Sequence, residues 1–174
     1  MKTPRAFFRF FPTVLFAALV AGCGFQMRGS YSLPYESIYL SGADYSPIIS
    51  GLKRAIRTTN TRLSDTAKDA QATFISTGET RQPIILSLSS AGRVREKRLS
   101  YRYGYRVVDT AGRNLVTPSM IELNRDLTYS DSDALSKIQE EELLWQDMQK
   151  DAVEQLMRRL AAAESTTPEN NVLD

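Results

Sequence analysis

The chain has 174 residues, a formal net charge of +2, no histidine and a single cysteine. Without histidine or a second cysteine, Ser-His-Asp and Cys-His triads cannot be assembled in their usual form, and zinc sites, which draw chiefly on those residues, are not expected. The near-balanced charge gives no sign of a globally basic nucleic-acid binder, so an electrostatic function would have to come from local clustering.

Lys2, Arg5 and Arg9 precede an apolar run over residues 10–19 that is broken only by Pro12 and Thr13, and the small residues Ala21 and Gly22 lead into Cys23. That is the layout of a secretory signal, and about 13 apolar-biased residues are too few to span a bilayer. The ending Leu19-Val20-Ala21-Gly22-Cys23 resembles a lipobox, with Val20 where leucine is commoner. In proteins with that motif the cysteine thiol receives a diacylglycerol, the signal is cut before it, and the new amino group is acylated. One acyl chain anchors only marginally, whereas two or more hold a protein on a membrane. A lone cysteine has no disulfide partner, and a buried free thiol fits the flanking pattern less well than lipidation. Residues 1–22 are therefore expected to be a signal peptide, with Cys23 lipidated and residues 23–35 forming a tether. Loss of Lys2, Arg5 and Arg9 takes the formal charge from +2 to −1.

Residues 36–41 (ESIYLS) read as a short strand. Ser46 and Pro47 supply an N-cap and an N1 proline, and Ile48, Ile49, Leu52, Ala55 and Ile56 form a helical apolar stripe ending near Asn60. Strand fragments follow at residues 72–77 and 84–88. The clearest strand covers residues 99–108: Leu99, Tyr101, Tyr103, Tyr105 and Val107 alternate with Ser100, Arg102, Gly104, Arg106 and Val108, one face aromatic and the other cationic. A turn-rich connector (DTAGRN) then predicts a hairpin to residues 120–129, where Ile121, Leu123, Leu127 and Tyr129 share a face opposite Glu122 and Asp126. If Val108 opposes Val116, Arg102 faces Glu122 and Arg98 faces Asp126, with Pro118 a candidate bulge. Last comes a long helix with Ser136 and Gln139 as a capping box, Glu140 to Glu142 at its start, and a stripe of Ile138, Trp145, Met148, Ala152, Leu156 and Leu160. The expected fold is α+β, with two helices packed on one face of a mostly antiparallel sheet of about four to five strands. It forms a single domain over residues 36–162, with a disordered tail at 163–174.

Helix capping accounts for the clustered carboxylates Asp131, Asp133 and Glu140–Glu142, so they give no case for an enzyme. The densest run of one charge sign is Arg93, Arg95, Lys97, Arg98, Arg102 and Arg106 against the single acid Glu96, and Ala91-Gly92 before it predicts a turn. A plain reading is a solvated strand edge protected from aggregation, and another is cross-strand pairing with Glu122 and Asp126. The sharper reading is an anion site, because arginine forks bind phosphate bidentately. Arg102 and Arg106 suit ion pairing; at the tip, where acid is scarce in the local sequence, anion binding is the competing expectation.

The run Cys23-Gly24-Phe25-Gln26-Met27-Arg28-Gly29, the hairpin Val107-Val108-Asp109…Gly112 and the segment Ala134-Leu135-Ser136-Lys137 leading into the last helix resemble the LPS-assembly lipoprotein family, LptE. The similarity extends over essentially the whole mature chain. It implies a non-enzymatic lipoprotein, without cofactor or nucleic-acid partner, anchored on the periplasmic side of the outer membrane. Such a protein would fill the lumen of an LptD-type β-barrel and help it deliver lipopolysaccharide. By the same resemblance, lipopolysaccharide would be met by Arg93, Arg95, Lys97, Arg98 and Lys137. A competing class is a free-standing carrier of lipid or lipoprotein, which would need a deep apolar cavity.

Cys23→Ser is expected to escape lipoprotein processing and to lose stable membrane association, as read by fractionation. An unacylated mature terminus in the wild type, read by mass spectrometry, would contradict the lipobox reading.

Overall fold

The period-two alternation of residues 99–108 organises the molecule, and the computed structural model shows what lies on each side of it. The structure describes residues 31–129 and 134–163. The expectations for the signal peptide, Cys23, Asp131, Asp133 and all but the first residue of the tail fall outside the described residues. The elements are β1 (Ser37–Ser41), α1 (Pro47–Ile56), β2 (Arg62–Leu63), a single 3-10 turn (Ala67–Asp69), β3 (Ala72–Leu88), β4 (Val94–Asp109), β5 (Asn114–Thr128) and α2 (Ala134–Ala162).

The sheet has five strands in the order β2-β1-β3-β4-β5. It is mixed: β1 runs parallel to both β2 and β3, while β3, β4 and β5 form an antiparallel meander. The parallel half follows from the order strand, helix, strand, because parallel neighbours need a crossover and α1 provides one. The two strand fragments expected at residues 72–77 and 84–88 are one continuous strand, β3. Its middle (GETRQP) is polar because it is exposed, not because it leaves the sheet; it pairs with β4 without a break from Gly78 to Ile85. Likewise β4 and β5 begin earlier than their apolar patterns suggest.

Along the β4–β5 hairpin Arg102 faces Glu122 and Arg98 faces Asp126, as the alternation predicts. Nearer the turn the expected pairing of Val108 with Val116 fails. Val107 faces Val116 and Val108 faces Asn114, with irregularities on either side of Val107. One of them falls where Pro118 lies, a residue that cannot donate to a regular ladder.

Leu99, Tyr101, Tyr103, Tyr105 and Val107 are all buried, at 0–1% exposure, on the face that meets the helices. Phe74 of β3 stacks on Tyr105, with ring centroids 5.6 Å apart. From the other side come Ile48, Ile49, Leu52 and Ile56 of α1, and Trp145, Met148, Ala152, Leu156 and Leu160 of α2. Leu33 and Tyr35, in the stretch read as tether, also belong to this core, so the domain begins ahead of residue 36. Burial pushes the Tyr35 hydroxyl up to about 12, with Tyr105 adding to the effect.

Two expectations for α2 are corrected. The helix starts at Ala134, so Ser136 lies inside its first turn and not at the N-cap position. Ile138, on the stripe of Trp145, is 65% exposed and does not join the core. Ser46 does precede α1, with Pro47 opening the helix, but its side chain makes no capping bond.

The helices approach at Gly51, where a Cβ would lie 2.7 Å from Val153 Cγ2. Gly51→Ala is therefore expected to destabilise the fold by about 1–3 kcal/mol through overpacking. Adding Val153→Ala should recover much of that loss, as measured by urea denaturation of the two variants.

Candidate functional site

The tip between β3 and β4 is closed by a compact turn. Gly92 adopts a φ of 74°, in the left-handed region that favours glycine. Its N–H donates to the Ser89 carbonyl at 2.9 Å, and the Ser89 N–H donates to the Arg93 carbonyl at 2.7 Å. Ser89 Oγ accepts the Arg93 N–H at 3.1 Å, so backbone and side chain together fix where the cation run begins. Arg93 and Arg95 are both exposed beyond this turn.

Lys97, Arg98 and Arg102 meet carboxylates, whereas no ion pair is formed by Arg106 among the described residues, contrary to the pairing expected of it. Lys97 points to the helix side of the sheet, where Nζ donates to Glu141 Oε2 at 2.7 Å and lies 5.0 Å from the centre of the Tyr129 ring. Tyr129 Oη donates to the same carboxylate oxygen at 3.0 Å. Burial alone would lower the Lys97 pKa, but the bonds to Glu141 and Tyr129 outweigh it and leave it raised. Burial likewise acts to raise Glu141, and its hydrogen bonds with Lys97 and Tyr129 overcome that and hold it low. On the opposite face Arg98 grips Asp126 with two bonds of 2.7 and 2.8 Å, which lowers the Asp126 carboxyl. Arg102 meets Glu122 at 3.3 Å.

Lys137 pairs with Glu140, one turn along α2, at 2.7 Å. It also lies four residues before Glu141, on the helix side to which Lys97 is tied. The structure thus brings the tip of the hairpin and the start of α2 together through Lys97 and Glu141. Acid at the tip is not scarce, contrary to the local sequence, because Asp126 and Glu141 arrive from β5 and α2. Glu141, read from sequence as a favourable charge at a helix start, is the partner that sequence reasoning missed. No pattern within β4 or β5 points to it, because Glu141 lies 44 residues beyond Lys97 on another element.

Further along the same helix face Arg125 of β5 reaches Asp151 and, at 3.7 Å, Asp147. Gln149 donates to Glu79 of β3 at 3.2 Å. These links pin α2 along the meander. Among the described residues no group of three or more potential ligands is placed to hold a metal ion.

A model of the LptE lipopolysaccharide-assembly family matches residues 35–160. The chain belongs to that family. Its LptE-family relatives include the LPS-assembly lipoprotein LptE of Photorhabdus laumondii, 27% identical over 147 residues that cover 82% of this chain and 79% of that one. Lipoprotein B of Nitrosomonas europaea, solved by NMR, is similar with a TM-score of 0.71 and 39% identity, over 82% of this chain and 94% of the other. The crystal structure of rare lipoprotein B from Shewanella oneidensis has a TM-score of 0.65 and 27% identity, over 74% and 96% of the two chains. The LptE match spans both helices and the whole meander, so the tip and its ion pairs are built on the family's common frame.

The signs of the two shifts set a pH window for the link between hairpin and helix. A lowered Glu141 contributes stability that is complete above its ordinary value of 4.5 and is lost as pH falls through its folded-state value. A raised Lys97 contributes stability that is complete below 10.5 and is lost as pH rises through its folded-state value. Glu141→Gln should therefore cost about 1–3 kcal/mol at neutral pH. Its deficit against wild type should close as pH falls below 4.5, as read from urea midpoints across a pH series.

Proposed function

We propose that the chain is a non-enzymatic assembly factor for lipopolysaccharide. In this reading it is anchored by lipid at Cys23 on the periplasmic side of the outer membrane, and it seats in the lumen of an LptD-type β-barrel. The observation that carries this reading is the LptE-family match over residues 35–160. The printed name of the Photorhabdus relative, an LPS-assembly lipoprotein, supports it. Among the described residues no helix is long and apolar enough to cross a membrane.

In this reading Arg93, Arg95, Lys97, Arg98 and Lys137 meet the phosphates of lipopolysaccharide. Arg95 and Arg93 stand exposed at the entrance. Lys97, Arg98 and Lys137 are already paired, so a phosphate would have to displace Glu141, Asp126 or Glu140. Such an exchange costs far less at the surface than in a core, because water screens both partners. It suits a site that must release its ligand as well as take it.

The filled interior weighs against a free-standing carrier. Every helix-facing residue of β4 from Leu99 to Val107 is packed under the helices. The depression beside Asn114, Val116 and Arg159, of about 470 Å³, lies at the surface.

Retention of labelled lipopolysaccharide by the purified mature chain tests the site. Replacing Arg93, Arg95, Lys97 and Arg98 with Ser should weaken retention, and adding Lys137→Ala should weaken it further. The single variant Arg95→Ser, which leaves the Lys97 and Arg98 pairs in place, should fold as wild type and retain less lipopolysaccharide. Rising salt should reduce wild-type retention, since exposed charges are screened over about 10 Å at 0.1 M. Unchanged retention by the quadruple variant would return the run to a solvated strand edge.

A further inference from the structure

β1 covers β3 only from Ala72 to Ile75. The chain then turns toward α1 at Gly42, where Ile49 packs so closely that a Cβ would lie 2.8 Å from its side chain. Beyond that point, over residues 78–88, β3 has β4 on one side and no strand on the other among the described residues.

The backbone direction along this edge follows from one bond. The Arg95 carbonyl accepts the Tyr129 N–H at 2.8 Å, so odd-numbered β4 residues in this stretch turn their backbone groups toward β5. Even-numbered residues of β4 must then serve β3, through the pairs Arg102–Thr80, Ser100–Gln82 and Arg98–Ile84. Glu79, Arg81, Pro83 and Ile85 are left aiming their backbone groups at the free edge, with Pro83 lacking only a donor. Pro83 is tolerated there because its missing N–H is not owed to β4.

Natural edges are usually blunted by charge. This one has Glu79 and Arg81 at its start, but residues 82–92 (QPIILSLSSAG) carry no charge at all. Ile84, Ile85, Leu86 and Leu88 are exposed by 40–57%. A lipid chain could cover those side chains, but it would leave the N–H and C=O groups of the edge dry and unpaired, which is costly. A second copy pairing antiparallel through the same residues would bring a proline into both strands of the new ladder. The remaining occupant is an extended segment of a different polypeptide. It would be polar where it meets Glu79 and Arg81, and uncharged and apolar where it meets residues 84–88.

We infer that the β3 edge from Glu79 to Ile85 is a docking lane, in which an extended segment of the barrel partner adds a strand where β1 stops. This rests on the reading that the chain works in complex with such a barrel. The partner's main chain would supply affinity along the lane, and its alternating side chains would supply specificity.

Residue-resolved amide hydrogen exchange on the mature chain alone, on the chain with lipopolysaccharide, and on the chain in complex with the LptD-type barrel tests this. The amides of Arg81 and Ile85 should exchange fast in the first two samples and slow by about tenfold or more in the complex. Those of Thr80, Gln82 and Ile84, bonded to β4, should be slow in all three. Ile85→Pro should weaken capture of the barrel by about tenfold relative to Ile85→Ala, which keeps the N–H. Arg81 and Ile85 amides that stay fast in the complex overturn the inference while leaving the barrel reading intact. So does protection that appears with lipopolysaccharide alone or in a self-associated chain, and so does equal capture by the proline and alanine variants. If the wild-type chain captures no barrel, the barrel reading and the inference fall together.

Discussion

A single strand, β4, has to satisfy two environments at once, and its two-residue period is what makes that possible. Its odd positions bury Leu99, three tyrosines and Val107 beneath the helices, while Arg98 and Arg102 on its even positions meet Asp126 and Glu122 on the far face. A slip of one residue against either neighbour would push the tyrosines into water and the arginines into the core. The register of β3 and β5, the placement of α2 and the geometry of the tip all follow from this strand. The core has its own tension. The hydroxyls of Tyr101 and Tyr103 are buried without a hydrogen bond of good geometry, although Glu79 and Ser76 lie near them. Burying an aromatic body is worth a few kcal/mol and an unpaired hydroxyl gives part of it back. Burial also raises the pKa of both hydroxyls, so they stay neutral across any physiological range.

The electrostatics of the tip are more balanced than its sequence suggests. A run of arginines and lysines reads as a positive patch when only chain neighbours are counted. In the fold, β5 and α2 return carboxylates to it, and the contact between Lys97, Tyr129 and Glu141 ties the hairpin to the helix. Lys97, Arg98 and Arg102 therefore serve first as structural partners within the run.

What could be read from the sequence was governed by burial. Residues 99–108, half buried along their length, showed their strand, their faces and the pairs Arg102–Glu122 and Arg98–Asp126. The middle of β3 did not, because residues 79–83 are exposed on both faces and show no apolar period, although they are paired as regularly as the rest. The parallel half of the sheet was missed for a different reason: β1 is five residues long and its direction depends on α1 crossing over the sheet. Ile138 matched the helical stripe in spacing, yet spacing alone does not bury a residue. At the candidate site the cations were legible and their partners were not, since Glu141 lies 44 residues from Lys97.

The projecting half of the β3–β4 hairpin also bears on how the chain reaches its native state. The core pairs of this hairpin, such as Phe74 with Val107, lie at the end remote from the turn, and meeting directly would mean closing a loop of roughly thirty residues. Starting at the turn around Gly92, each pair along the arm shortens the loop that the next must close. The arm buries little, but it is the route along which the buried halves of two strands can zip together in order. Destabilising substitutions there would then slow folding more than they speed unfolding, because the ordering of the chain is decided along the arm.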